Sequence, residues 1–270
     1  SAMLSDSKNK LIELKGNDSY GEGLVSTRKG YSLNSYFGYQ YDGIIQNADQ
    51  LAAYKSLNNL PANLGLGDVM FRDIDGDGKI TAFGDPAKGT KGDLVYLGNL
   101  LPRYVYSSNI NLSYKGFDLS ILLQGIGKRE GVRTGEFAYN FTWVWMQPLQ
   151  YFYGKNWTPE NTGAKYPRLI PGSVGYDEVQ NWNWRYSSMR MNNLAYLKVK
   201  VLTLAYNLPQ SLVQKAKFQN VRVYASGQDL FTFSKDMWND SFNPEENWER
   251  SDEQTYPFSS VISFGLDIKF

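Results

Sequence analysis

The residues best spaced to do chemistry lie in FRDIDGDGKITAFGD, residues 71–85. Asp73, Asp75 and Asp77 take positions 1, 3 and 5 of a calcium-type loop, and Gly78 takes the turn position. Lys79 would offer its carbonyl at position 7, and Thr81 stands at position 9. The spacing matters because alternate residues turn their oxygens inward around a hard cation. Position 12, normally a bidentate acid, is Gly84, and Asp85 comes one residue late. The expectation is a weak Ca²⁺ site built from Asp73, Asp75, Asp77, Lys79, Thr81 and Asp85. Such a site, with a dissociation constant of roughly 10⁻⁴–10⁻³ M, would stiffen a loop. The plainer alternative is an acidic, glycine-rich turn without metal. No helix pattern flanks the loop, so it is not part of a helix–loop–helix sensor.

Other chemistry is largely excluded. The chain has no histidine and no cysteine, which removes serine–histidine triads, ordinary zinc sites, thiol catalysis and disulfides. Glu245, Glu246, Glu249, Asp252 and Glu253 could pair as glycosidase carboxylates, but NPEENWERSDEQ reads more simply as a solvated charged loop. Thr158-Pro159-Glu160 in NWTPEN reads as a turn, and GIGKREG lacks the spacing of a phosphate loop. With a net charge of +1 and no basic run, nucleic acid is not an expected partner. An enzyme is not expected.

Aromatic residues make up 15% of the chain. In the loop 127–191, Trp143, Trp145, Tyr151, Tyr153, Trp182 and Trp184 could stack on sugar rings as a substrate surface. They could equally form the small core that a loop of this length needs.

The elements that must position these residues are strands. Residues 259–270 alternate with period two: Ile262, Phe264, Leu266, Ile268 and Phe270 on one face, Ser263, Gly265, Asp267 and Lys269 on the other. Tyr104, Tyr106, Ile110, Leu112 and Tyr114 oppose Ser107, Asn109, Asn111 and Ser113 in the same way. Lys115-Gly116 then predicts a tight turn into a strand carrying Phe117, Leu119, Ile121 and Leu123 on one face. About seven strands are predicted, at 22–28, 34–43, 103–114, 117–126, 192–206, 219–231 and 259–270. Alternation breaks near Val201, which predicts a bulge. Asn47 is expected to cap a helix over NADQLAAYKSL, and Pro209 to open another.

Every second connection is long: 44–102, 127–191 and 232–258 alternate with short or medium ones. All the long loops therefore leave one end of an up-and-down meander, as in outer-membrane barrels. No apolar run is long enough for a membrane helix. The opening SAM reads as a cloning remnant (residues 1–3), and no secretion signal follows it. A soluble β-sandwich that binds carbohydrate through its tryptophans is the alternative fold.

Several stretches together resemble the C-terminal part of SusC/RagA-type TonB-dependent outer-membrane transporters of Bacteroidota. They are SYFGYQYDGIIQ (35–46), GDVMFRDIDGDGKI (67–80), YLGNLLPRYVYSSNINLSYKGFDLSILLQG (96–125), NWTPENTGAKYPRL (156–169), YLKVKVLTLAYNLP (196–209), VRVYASGQDLFTF (221–233) and the final SFGLDIKF. They follow the family's order and span nearly the whole chain. GNLLPRY stands where the family has GNPLP, and PAKGTKG (86–92) is an insertion.

The resemblance implies an all-β fold: an antiparallel meander forming part of a transmembrane barrel of about 22 strands around a plug. About 22 strands of about ten residues need about 220 residues before any loop, so residues 1–270 read as a barrel segment without the plug. On this reading Phe117, Leu119, Ile121, Leu123, Phe264, Leu266 and Ile268 face lipid. Gly265, Ile268 and Phe270 resemble the terminal signal read by the barrel-insertion machinery. The implied function is nutrient import, of oligosaccharide or peptide, in the outer membrane of a Gram-negative bacterium. The implied partners are the rest of the barrel and plug, a SusD-like surface lipoprotein, and the TonB complex acting through the part not in this chain.

Overall fold

The computed structural model describes residues 1–15, 19–20, 25–132, 138–139, 149–170, 177–235, 243–245 and 258–270. In chain order the first strands are β1 (Ala2–Ser5), β2 (Ser19–Tyr20), β3 (Val25–Arg28), β4 (Ser35–Tyr39), β5 (Tyr41–Ile44), β6 (Val69–Phe71) and β7 (Leu94–Asn99). There follow β8 (Arg103–Tyr114), β9 (Phe117–Lys128), β10 (Glu130–Val132), β11 (Met191–Asn193), β12 (Tyr196–Asn207), β13 (Asn220–Ser234) and β14 (Val261–Lys269). The α-helices are short: α1 (Ala48–Tyr54), α2 (Glu178–Asn183) and α3 (Gln210–Val213).

One six-stranded antiparallel sheet, ordered β1-β8-β9-β12-β13-β14, forms a wall. Its register lines residues into rows across the strands. Leu112, Leu119, Leu204, Ala225 and Phe264 are successive partners, as are Ile110, Ile121, Leu202, Gly227 and Ile262. Tyr114, Phe117, Tyr206, Val223 and Leu266 form a further row on that face. The opposite face is polar: Asn111, Ser120, Thr203, Ser226 and Ser263 are partners in register. Hydroxyl and amide pairs tie that row, with Ser120 Oγ donating to Asn111 Oδ1 at 2.7 Å and the Thr203 and Ser226 hydroxyls 2.9 Å apart.

Local chemistry explains the joints. Lys115 and Gly116 both have positive φ (46° and 87°), as a two-residue hairpin turn with the strands' right-handed twist requires. The register slips between Val199 and Val201 against both neighbouring strands. Against β9, Lys200 is the extra residue of a bulge. Against β13, Asp229 and Leu230 together face Lys200, so the added residue lies in β13, where Asp229 has a positive φ of 51°. At Gly265, Tyr224 lays its ring where a Cβ would stand, so only glycine fits the polar face there.

The long connections 6–102, 129–195 and 235–260 all leave the wall at one end, while 115–116 and 208–219 turn at the other. The first two carry their own core. Tyr39, Ile45, Val69, Phe71, Ile80 and Trp182 are buried together, with α1 packed against them through Leu51 and Tyr54. Asn47 caps α1 as expected, its Oδ1 accepting from Gln50 N at 2.9 Å. The two loops interlock through Tyr39 N–H to the Tyr186 carbonyl at 2.8 Å and Val69 N–H to Asn183 Oδ1 at 2.8 Å.

Two of the expected wall strands are corrected. The segments read at 22–28 and 34–43 are not in the wall: β3 and β4 belong to a separate four-stranded sheet, β2-β3-β4-β7, and β5 pairs with β6. Every residue of β4 is buried, so it packs on both faces where a barrel strand would pack on one. The wall's first strand is instead β1, which includes part of the opening SAM.

Candidate functional site

The acidic loop is built by a fold-back. Asp93 N–H donates to the Thr81 carbonyl at 2.8 Å, closing residues 81–93 into a loop whose arms touch. Gly84 lies against the backbone of Thr90 so tightly that any Cβ would overlap it. A position-12 acid therefore has no room. The fold supplies a carboxylate from elsewhere, because oxygens of Asp73, Asp75 and Asp93 all lie within 4.8 Å of one another.

Each carboxylate also takes backbone donors. Asp73 accepts from Gly76 N (2.7 Å) and Gly78 N (2.8 Å), and Asp75 Oδ2 from Lys91 N (3.0 Å) and Gly92 N (2.6 Å). Asp93, fully buried, accepts from Ile74 N at 2.6 Å and Thr81 N at 2.7 Å. Burial pushes the Asp93 carboxyl above its usual range and the charge of Asp75 adds to the push, against the two amide donors. Asp75 Oδ1 and Thr81 Oγ1 are sealed from solvent without a hydrogen-bond partner.

Not every residue read from the motif joins this cluster. Asp77 accepts from Lys79 N at 2.9 Å, in its own turn. Asp85 accepts from Ala87 N at 3.0 Å and lies 3.5 Å from the Lys88 ammonium. Asp93 was not legible in the motif, because it lies beyond the twelve-residue window.

The aromatic candidates divide by burial. Trp182 is 1% exposed, its indole N–H donating to the Val69 carbonyl at 2.9 Å and its ring 5.4 Å from Phe71. Trp184 is buried against Phe152 and Tyr166, and Tyr151 shares a 2.7 Å hydroxyl contact with Tyr166. These three are committed to loop packing. Tyr153, 89% exposed, presents its ring to solvent, and Trp143 and Trp145 lie outside the described residues. Residues 158–161 turn as expected, with Asn161 N–H on the Thr158 carbonyl at 2.9 Å.

Of the carboxylates weighed as a glycosidase pair, Glu246, Glu249, Asp252 and Glu253 lie outside the described residues. Glu245 instead anchors its loop to the polar face of the wall. It accepts from Tyr196 Oη (2.9 Å), Lys198 Nζ (2.5 Å) and Lys200 Nζ (2.9 Å), and Asp229 joins both lysines. Burial pushes Glu245 upward, but the three hydrogen bonds outweigh it and hold the carboxyl below its usual range.

The opposite face of the wall has no cover among the described residues. Leu112 is 59%, Leu204 50% and Phe264 82% exposed. A soluble sandwich would lay a second sheet on that face, and none of the described residues form one there. Phe270 is exposed, its ring edge-on to Phe218 at 5.3 Å.

No protein-family model matches the chain. It is 26% identical to TonB-dependent receptor P3 of Formosa agariphila over 98% of its length, covering 26% of that protein. It is 25% identical to TonB-dependent receptor P26 of the same organism over 99% of its length, again covering 26% of that protein. The chain thus spans about a quarter of the length of these curated relatives. In structure, all of it matches 26% of a chain of the RagAB peptide transporter, with a TM-score of 0.66 and 18% identity. A RagAB structure in the closed-closed state gives a TM-score of 0.59 at 19% identity over 27% of that chain. In sequence and in fold, the chain resembles SusC/RagA-type TonB-dependent transporters over nearly its whole length.

Proposed function

We propose that the chain is the C-terminal barrel segment of a TonB-dependent nutrient importer in the outer membrane of a Gram-negative bacterium. The observation that carries this reading is the two-faced wall. Apolar rows that would be an aggregation hazard in water suit lipid, and the hydroxyl and amide rows suit a polar lumen. The two edges, β1 and β14, need pairing, which the remaining barrel strands would supply. On this reading the interlocked loops stand outside the cell and the 115–116 and 208–219 turns face the periplasm. The cargo is an oligosaccharide or a peptide, captured with a SusD-like surface lipoprotein and moved by the TonB complex acting through the plug. Tyr153 is the described aromatic best placed to stack on such a cargo. The kinship with receptors and transporters argues for a carrier over an enzyme.

The test is uptake in cells. Deleting the gene should abolish import of one oligosaccharide or peptide class, and removing TonB should do the same with the protein still in the membrane. Import that persists without TonB would overturn the reading.

A further inference from the structure

We propose that Asp73, Asp75 and Asp93, with the hydroxyl of Thr81, form a calcium site that pins the 73–93 loop. The site differs from the one the sequence spacing suggests, since Asp93 enters and Asp77 and Asp85 do not. It is also independent of the transport reading.

The carboxylate oxygens lie within 4.8 Å of one another, a span that a cation with ligands at about 2.4 Å can bridge. Among the described residues no lysine or arginine pairs with any of the three. Backbone amides soften the repulsion but carry no net charge to cancel it. The independent observation is the pair of sealed oxygens. Asp75 Oδ1 and Thr81 Oγ1 have neither water access nor a donor, and a buried carboxylate oxygen left this way costs folding free energy unless something satisfies it. A trapped water would satisfy the lone pairs and leave three negative charges together. A divalent cation answers both needs. Its donors would all be hard oxygens on a loop, at spacings set by backbone amides and not by an octahedral frame, which favours Ca²⁺ over Mg²⁺.

The site would fix the fold-back that returns Asp93 to Thr81. It would also tie the loop to the module core through Ile80, which is buried and whose amide and carbonyl both bond Asn59.

The experiment is calcium titration of the full-length protein in detergent by calorimetry, with trypsin cleavage at the exposed Lys88 and Lys91 as a second readout. Wild type should bind one Ca²⁺ at this loop and become slower to cleave. Asp75→Asn and Asp93→Asn should each weaken binding by at least about tenfold, and Thr81→Val should weaken it while the loop stays folded. Asp77→Asn should leave it unchanged. Absence of binding to folded wild type at millimolar calcium would overturn the proposal. So would loss of binding in Asp77→Asn with retention in Asp93→Asn, or equal binding of Mg²⁺.

Discussion

Placing an arginine at Leu202 probes the lipid-facing side of the wall. Leu202 lies mid-sheet on β12, flanked in register by Ile121 and Gly227 on the apolar face. Tyr206 sits in the row of Tyr114 and Phe117, which marks the girdle beside the short turns. A strand rises about 3.3 Å per residue and barrel strands tilt by about 40°, giving about 2.5 Å of depth per residue. The step from Tyr206 to Leu202 therefore spans about 10 Å, close to the middle of an apolar band about 25 Å tall. Leu202→Arg should cost about 2–4 kcal/mol, and Tyr114→Arg in the girdle row about 0–1 kcal/mol. Thr203→Arg, one residue along on the polar face, should cost under about 1 kcal/mol. The assay is equilibrium urea unfolding of the full-length protein in lipid vesicles. Equal costs at Leu202 and Thr203, or a girdle substitution as damaging as the central one, would refute the assigned faces and depth.

Three further outcomes follow from the loops and the last strand. Because the Glu245 carboxyl is held below its usual range, its contribution is complete above about pH 4.3, the ordinary value. It is lost as pH falls through the lowered folded value. Hydrogen exchange at residues 243–245 should thus stay slow from pH 7 to about 5, and Glu245→Gln should speed it already at pH 7; slow exchange in that variant would contradict the anchor. Arg168→Ala strands Asp68, which is fully buried and held by Arg168 Nε and Nη2 at 2.9 Å. Local stability by hydrogen exchange at Val69 should fall by about 2–3 kcal/mol, less than for a fully buried pair because the guanidinium reaches solvent; no change would show that Asn183 and Gly65 suffice for Asp68. Phe270→Ala removes one aromatic contact with Phe218, worth about 0.5–1.5 kcal/mol. Refolding in detergent should barely change while outer-membrane levels drop, and normal levels would count against an assembly signal at Gly265, Ile268 and Phe270.

Features set by local pattern were legible in the sequence. Alternation gives the faces of β8, β9 and β14, the slip beside Lys200 shows as a break in parity near Val201, and Lys115-Gly116 marks its turn. What depends on distant backbone pairing was not. β1 is four residues long and is held by β8, about a hundred residues on, which no periodicity reveals. A strand over 34–43 is legible, but its place is not: burial on both sides makes β4 part of the loop module and not of the wall. The acidic motif contains Asp73 and Asp75, two of the three carboxylates that the fold brings together. Asp93 reaches it only because Gly84 and Gly92 let the two arms of the loop close on each other, a tertiary event outside any linear template.

The most direct test of the barrel reading uses the absence of cysteine from these 270 residues. Tyr153→Cys stands in a long loop and Lys215→Cys in the 208–219 turn, both exposed. Intact cells expressing the full-length protein with one or the other are treated with a bulky, membrane-impermeant maleimide, against the unsubstituted protein as background. Labelling of Cys at 153 in intact cells, and of Cys at 215 only after lysis, is the predicted result. Equal labelling of both positions in intact cells, or recovery of the protein in the soluble fraction, would contradict an outer-membrane wall with its long loops outside.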